Sequence, residues 1–269
     1  MIDCKVYVAF HREGELIPED SVYSALHVGK TNSKLNLKIL NDADGDQISA
    51  KNEVFSELTG WYWIWKNRKH DFVGTAHYRR YFTISRPSVF RKIGKLLLFF
   101  IGVNKKRRGL LYVKDSEKWQ KKIISSVDIQ HLMNKFDIIL PQKKKFKYSV
   151  FEQYSRRHNK NDILITKQII KELHPDFIES FDETFNSREM YSFNMFIMPR
   201  NMFDNYMNWL FSILFELEKR SDINMGDKYQ KRVCAFMAER LQTVWVNKNN
   251  FKIKELPVLY FKKTKKEHF

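Results

Sequence analysis

The chain has 269 residues, 43% of them hydrophobic and 15% aromatic, which supplies a large core and excludes an intrinsically disordered protein. Its net charge of +17 suits anionic partners such as phosphorylated substrates, acidic lipid or nucleic acid, without choosing among them. Cys4 and Cys234, the two cysteines, exclude a disulfide framework and a thiolate metal site. With no secretory pattern after Met1, they fit a reducing cytosol.

Residues 5–10 predict a buried first strand, left through His11-Arg12-Glu13-Gly14. Residues 35–40 predict a second strand running into the turn-rich acidic loop 41–46. Over residues 49–66, Val54, Phe55, Leu58, Trp61, Tyr62 and Trp65 recur at helical spacing. Residues 71–76 read as a short strand leading into His77-Tyr78-Arg79-Arg80-Tyr81-Phe82. Between Arg86 and Lys114 the pattern is interrupted. The apolar run at 89–103, followed by Asn104-Lys105-Lys106-Arg107-Arg108, is short of the roughly 20 residues a spanning helix needs. Basic flanks suit an in-plane segment on anionic headgroups; a buried hairpin or helix with basic ends is the alternative.

A helix is predicted over 116–135 and a strand over 136–140, stopped by Pro141. Helical pieces follow at 149–158 and 162–173, the second ended by His174-Pro175. Residues 193–198 predict another strand, halted by Pro199. Asn201, with Asp204 three residues on, is placed to cap a helix carrying Phe203, Tyr206, Leu210, Ile213, Leu214 and Leu217. A last helix is expected over 227–246, then a frayed lysine-rich tail at 261–269. Strands alternating with helices give an α/β class with mixed strand order, read as a single domain over 1–269.

Residues 74–82 put polar chemistry at a strand's C-terminal end, the edge where open α/β sheets bind ligands. His77 and the adjacent guanidiniums of Arg79 and Arg80 suit a diphosphate, because each arginine is permanently charged and offers a planar fork of donors. A surface loop whose arginines pair with carboxylates is the competing reading. Counting from Asp42, Glu53 falls at position twelve of an EF-hand, but the glycine comes too early for calcium. Asp44 and Asp46 could hold a divalent ion and a nucleotide diphosphate, or simply form a turn and helix cap.

His158 lies four residues before Asp162, near Gln153 and Tyr154. On one continuous helix the His–Asp pair would share a face and orient an acceptor hydroxyl or act as acid and base, although Asn159 and Asn161 can break that helix. Asn194, among apolar neighbours, needs its amide satisfied by a sugar hydroxyl or by backbone. Glu239-Arg240 is either a structural ion pair or a carboxylate facing the cleft. No Gly-rich phosphate loop, nucleophile elbow or zinc spacing occurs.

Several blocks together resemble a bacterial family of uncharacterised-domain proteins regarded as glycosyltransferases and encoded among capsule, exopolysaccharide and O-antigen genes. They are Ile48-Ser49-Ala50-Lys51-Asn52, Glu57-Leu58-Thr59, Tyr62-Trp63-Ile64-Trp65-Lys66-Asn67 and His77-Tyr78-Arg79-Arg80-Tyr81-Phe82, then residues 193–198, Trp209-Leu210-Phe211 and Ala238-Glu239-Arg240-Leu241. The resemblance covers most of the chain, and residues 86–114 look like a departure from it.

The resemblance implies a GT-A-like mixed sheet flanked by helices, with 86–114 as a basic apolar insertion contacting membrane or acceptor. It implies transfer of a hexose, galactose by family context, from a UDP-sugar to a lipid-linked or growing polysaccharide acceptor. That places the protein in the cytoplasm, peripheral on the anionic inner face of the cell membrane. His11, Asp44, Asp46, Asn52, His77, Arg79, Arg80 and Asn194 become candidates for the nucleotide sugar, and Gln153, Tyr154 and His158 for the acceptor. Asp162 and Glu239 are the candidate catalytic carboxylates, as base if the anomeric centre inverts or as stabiliser of an oxocarbenium-like centre if it is retained.

The Asp-x-Asp metal motif of many such enzymes follows a central strand, and here that place holds His77-Tyr78-Arg79. The expectation is therefore that no metal cofactor is required and that Arg79 and Arg80 stabilise the leaving diphosphate, with Mn2+ or Mg2+ as the alternative. A non-catalytic scaffold docked at the membrane is the rival function. Nucleic acid is not an expected partner, because Trp61, Tyr62 and Trp65 lie on a core stripe and no binding motif is present.

Overall fold

A computed structural model describes residues 3–13, 16–85, 110–114, 117–222 and 229–262. The apolar, basic stretch at 86–109 and the tail from 263 lie outside them. Strand β1 (Cys4–Phe10) turns Val6, Val8 and Phe10 to one face and Tyr7 and Ala9 to the other, all buried. That is the two-residue period of a strand covered on both sides.

β2 (Tyr23–His27) runs parallel to β1, and β3 (Leu40–Asn41) parallel to β2. On the other side of β1 lies β4 (Phe72–His77), also parallel. A two-residue turn joins β4 to β5 (Arg80–Phe82), with His77 opposite Arg80. β6 (Leu110–Lys114) and β7 (Ile138–Pro141) follow; β8 (Lys144–Lys145) and β9 (Glu189–Met190) form a separate small pair. β10 (Ile197–Pro199), β11 (Ile253–Leu256) and β12 (Val258–Lys262) complete the set.

The main path is β11-β7-β10-β4-β1-β2-β3, parallel throughout except at β10, which is reversed between β4 and β7. This reversal positions the site. The residues entering β10 reach the same edge at which β1, β2 and β4 end.

On one face the core is built by α1 (Asn52–Phe55), α2 (Leu58–Asn67) and, further on, the long α8 (Arg200–Arg220) and α9 (Val233–Lys248). Between them in sequence come α3 (Glu117–Gln120), α4 (Ser126–Met133), α5 (Val150–Ser155), α6 (Asn161–Leu173) and α7 (Ile178–Asn186). Ile129 and Leu132 of α4 cover the opposite face. Gly60 lets α2 lie against β2, since a Cβ there would stand 2.6 Å from a Val28 methyl. Among the described residues no helix is long and apolar enough to cross a membrane.

Several boundaries differ from the sequence reading. The second strand is residues 23–27, not 35–40; Leu35, Leu37 and Ile39 alternate half-buried, but Lys38 at φ 51° breaks the extended chain. The helix expected over 49–66 is interrupted at Ser56, φ 49°, where Asn52 Nδ2 donates to the Ser56 carbonyl and to Thr59 Oγ1. The helix over 116–135 is two pieces, the second opened by a Ser125–Asp128 capping box. Asn201 is not a cap: α8 begins at Arg200, which pairs with Asp204. Residues 110–114, within the expected insertion, are a sheet strand pairing with β12, and the two C-terminal strands went unanticipated.

Candidate nucleotide-sugar cleft

His77 closes β4. It is 9% exposed, and its Nε2 donates to the Phe193 carbonyl at 2.6 Å. A carbonyl only accepts, so Nε2 carries the proton. Burial, then the neighbouring Arg80 guanidinium, pushes its pKa down to about 4, and the ring stays neutral.

Arg79, in the turn, donates to the Tyr78 hydroxyl at 3.3 Å and lies over the rings of Tyr78 and Tyr260. The Arg80 guanidinium lies 5.0 Å from the Phe193 ring centre and 5.5 Å from that of Tyr260. Cation–π contact of this kind fixes a guanidinium without neutralising its charge. Among the described residues no carboxylate comes within 4.0 Å of Arg80, and its buried Nε has no hydrogen-bond partner.

His11, leaving β1, meets the edge of the Tyr78 ring at 4.9 Å and accepts from Arg12 through Nε2. The side chains packed round it, then Arg12, Arg232, His77 and Arg79, hold its pKa down at about 4. The ends of β1 and β4, with Arg232 just before α9, thus gather the charges of Arg12, Arg79, Arg80 and Arg232 round the neutral rings of His11 and His77.

Facing that field is the turn before β10. Phe193 and Asn194 both adopt left-handed backbone, φ 82° and 49°, a costly geometry for residues with side chains. Four side chains hold it. Phe193 N–H donates to Glu239 Oε1 at 3.0 Å, the Phe193 carbonyl accepts from His77, and the Asn194 carbonyl accepts from Thr75 Oγ1 at 3.0 Å. Asn194 Nδ2 donates to Glu57 Oε1 at 2.8 Å. Asn194 is 2% exposed, and its Oδ1 has no partner among the described residues. Burial raises the Glu57 carboxyl, against the opposing pull of Asn194, Arg80 and Arg232.

The acidic loop lies elsewhere. Buried Asp42 accepts from the backbone N–H of Gly29 and Lys30 and from Ser49 Oγ. Asp46 accepts from the Tyr62 hydroxyl, and the Asp44 carbonyl from the Trp63 indole. Asp44 and Asp46 are therefore tied to α2, and none of these bonds reaches the arginines. Among the described residues no three His, Cys, Asp or Glu side chains converge on one point, and Asp42 spends its carboxylate on three donors. Asn52, bonded to Ser56 and Thr59, abuts Gly29, whose φ of 70° and close approach leave no room for a Cβ.

The acceptor candidates form a second network. Tyr154 donates to Asp162 Oδ2 at 2.8 Å, and burial raises the Asp162 carboxyl. Arg240 donates to Gln153 Oε1 at 2.7 Å and lies over the Tyr154 ring. His158 donates from Nδ1 to Gln230 Oε1 and packs on Phe236 and Tyr154. α5 ends at Ser155 and α6 starts at Asn161, so His158 and Asp162 do not share a continuous helix. Tyr154 joins them instead, and both line a cavity of about 380 Å³ with Arg157 and Gln230. Glu239 bridges the networks, its Oε2 3.6 Å from Arg240.

Glu57, Arg12 and Arg232 were not among the candidate site residues, although Glu57 belongs to one of the blocks that carry the family resemblance. Glu57 offered one signal, a lone carboxylate at the head of the strongly apolar α2 stretch.

Fold and residue placement define an α/β protein with a cluster of arginines at the C-terminal edge of a mostly parallel sheet. The chain belongs to the DUF4422 family, a domain of unknown function, whose profile matches residues 5–250. It is similar to the apo structure of the bifunctional glycosyltransferase WbbM, with 29% sequence identity and a TM-score of 0.84. The likeness covers 97% of this chain and 46% of that one, so the chain spans about half the length of the protein it matches. Its mixed α/β architecture is thus a glycosyltransferase fold. No match was found among curated proteins.

Proposed function

We propose that the protein is a nucleotide-sugar-dependent glycosyltransferase. It moves a hexose, of galactose type, from a UDP-sugar to a lipid-linked or growing polysaccharide acceptor at the cytoplasmic face of an anionic membrane. The observation that carries this reading is the cleft in which Arg79 and Arg80 stack beside neutral His77 and His11 at the sheet edge. The likeness to a glycosyltransferase supports it.

In the reaction the acceptor hydroxyl oxygen bonds to the anomeric carbon while the bond from that carbon to the diphosphate oxygen breaks. UDP leaves with the electron pair. Arg79 and Arg80 are aimed where that negative charge grows, a placement that stabilises the transition state more than the ground state. The hydroxyl proton passes to a carboxylate. Glu239 stands at the Phe193–Asn194 turn; Asp162 and His158 line the cavity, and Gln153 and Tyr154, bonded to Arg240 and Asp162, are the other acceptor candidates. His11, Asn52 and Asn194 border the donor, and the tethered Asp44 and Asp46 carry no metal in this scheme.

The test is a panel of nucleotide sugars incubated with the protein in EDTA, with free UDP as readout. Release from a UDP-hexose supports the reading. Activity that disappears in EDTA and returns with manganese rejects the arginine-only mechanism. A protein that hydrolyses no donor and shows no thermal shift with UDP is a scaffold, since a ligand binding only the native state must stabilise it by mass action.

A further inference from the structure

Glu57 is a carboxylate without a role in the scheme above, yet it occupies the cleft. It heads α2, remains partly exposed, and spends one oxygen on Asn194 Nδ2. Arg80 and Arg232 are near enough to influence its ionisation. Its carboxyl oxygens accept hydrogen bonds, which suits a partner rich in hydroxyl donors. If Arg79 and Arg80 hold the diphosphate, the group beside Glu57 is one of its two neighbours, the ribose or the hexose, and the hexose brings the larger set of hydroxyls.

Two further observations point the same way. Arg80 Nε and Asn194 Oδ1 are both buried and unpartnered among the described residues. Orphaned groups of this kind in a native protein call for a ligand or an ordered water. In addition, the strained Phe193–Asn194 backbone is pinned by Glu239, His77 and Thr75, which gives Asn194 the rigidity that discrimination between epimeric hydroxyls requires.

We infer that Glu57 and Asn194 form the donor-sugar subsite, reading the hexose hydroxyls next to the arginine-bound diphosphate and setting which sugar is transferred. The inference rests on the proposed nucleotide-sugar reading. Asn194 fixes the direction of the carboxylate, and Glu57 in return fixes the Asn194 amide with Nδ2 toward itself.

Calorimetric titration of UDP, UDP-galactose and UDP-glucose into wild type, Glu57→Gln and Glu57→Ala tests it, with thermal melting to verify folding. Glu57→Gln keeps an acceptor for Asn194 and serves if Glu57→Ala fails to fold. Wild type is expected to separate the two epimers by about tenfold or more. Glu57→Gln should bring them within about twofold while UDP affinity stays within about twofold of wild type, since charge-assisted bonds are roughly twice as strong as neutral ones. A Glu57→Gln protein that keeps its epimer preference overturns the assignment, as does equal loss of UDP and UDP-sugar affinity, or a wild type indifferent to the epimer. Wild type that binds no uridine nucleotide at all removes the parent reading instead, and this subsite with it.

Discussion

Two loops at the C-terminal edge of the sheet make an instructive pair. After β3, Asp42 places its carboxylate in a fully buried position where the N–H groups of Gly29 and Lys30 and the Ser49 hydroxyl all donate to it. After β4 and before β10, Arg80 Nε and Asn194 Oδ1 are just as hidden and have no partner among the described residues. Satisfied polarity of the first kind fastens three loops to one another. Unsatisfied polarity of the second kind is destabilising in isolation and points to chemistry. The acidic loop, for which a divalent-ion site and a turn with a helix cap were both open, has its Asp42 and Asp46 carboxylates bonded within the fold; the basic hairpin and its strained partner turn hold the candidate chemistry.

The contrast can be broken most severely at Arg80. Replacing it by alanine is expected to lower transfer by about 10²–10³-fold, the usual effect of losing one transition-state donor, with little change in melting temperature because its buried Nε makes no hydrogen bond among the described residues. Asp42→Ala should do the reverse. It strands buried donors at a cost of about 3 kcal/mol, or a fall in melting temperature on the order of 6–12 °C for a chain of this size, while UDP binding in the surviving folded fraction is unchanged. Chemical denaturation alongside donor titration separates the two.

His77 gives a pH signature. Its pKa is about 4 in the folded protein against roughly 6.5 when unfolded. Between those values the unfolded chain binds a proton that the native ring refuses, so stability falls as pH is lowered from 6.5 to 4 and is level above 6.5 on this account. The contribution is about 3 kcal/mol. Urea titrations at the two pH values should show His77→Gln losing that increment; parallel behaviour of the two proteins contradicts a buried neutral imidazole. The smallest effect is expected at Asp46. Asp46→Ala loses an exposed hydrogen bond to Tyr62 worth about 1 kcal/mol, and transfer should stay within about twofold with or without manganese.

Much of the architecture could be read in advance. The core stripe of Phe55, Leu58 and Trp61, the first strand, and the strand leading into His77 all obey simple periodicity. The placement of the arginine pair at the end of that strand was legible too, because a polar motif directly after an apolar strand is a local signal. What stayed hidden depends on tertiary context. Ser56, Phe193 and Asn194 take left-handed backbone without being glycine, and composition leaves no trace of that. β11 and β12 become strands because neighbours distant in sequence present ladders for them. Glu57 meets Asn194 across 137 positions, a separation no spacing rule spans. The His158–Asp162 pairing depended on a helix that the Asn159–Asn161 segment interrupts.

Titration calorimetry of UDP with wild type and with the Arg79→Ala, Arg80→Ala double variant measures most directly whether the stacked guanidiniums seize a pyrophosphate. Saturable binding by wild type, weakened at least tenfold in a double variant that melts at a near-native temperature, is the expected result. Equal affinity in both proteins, or none in either, contradicts the account.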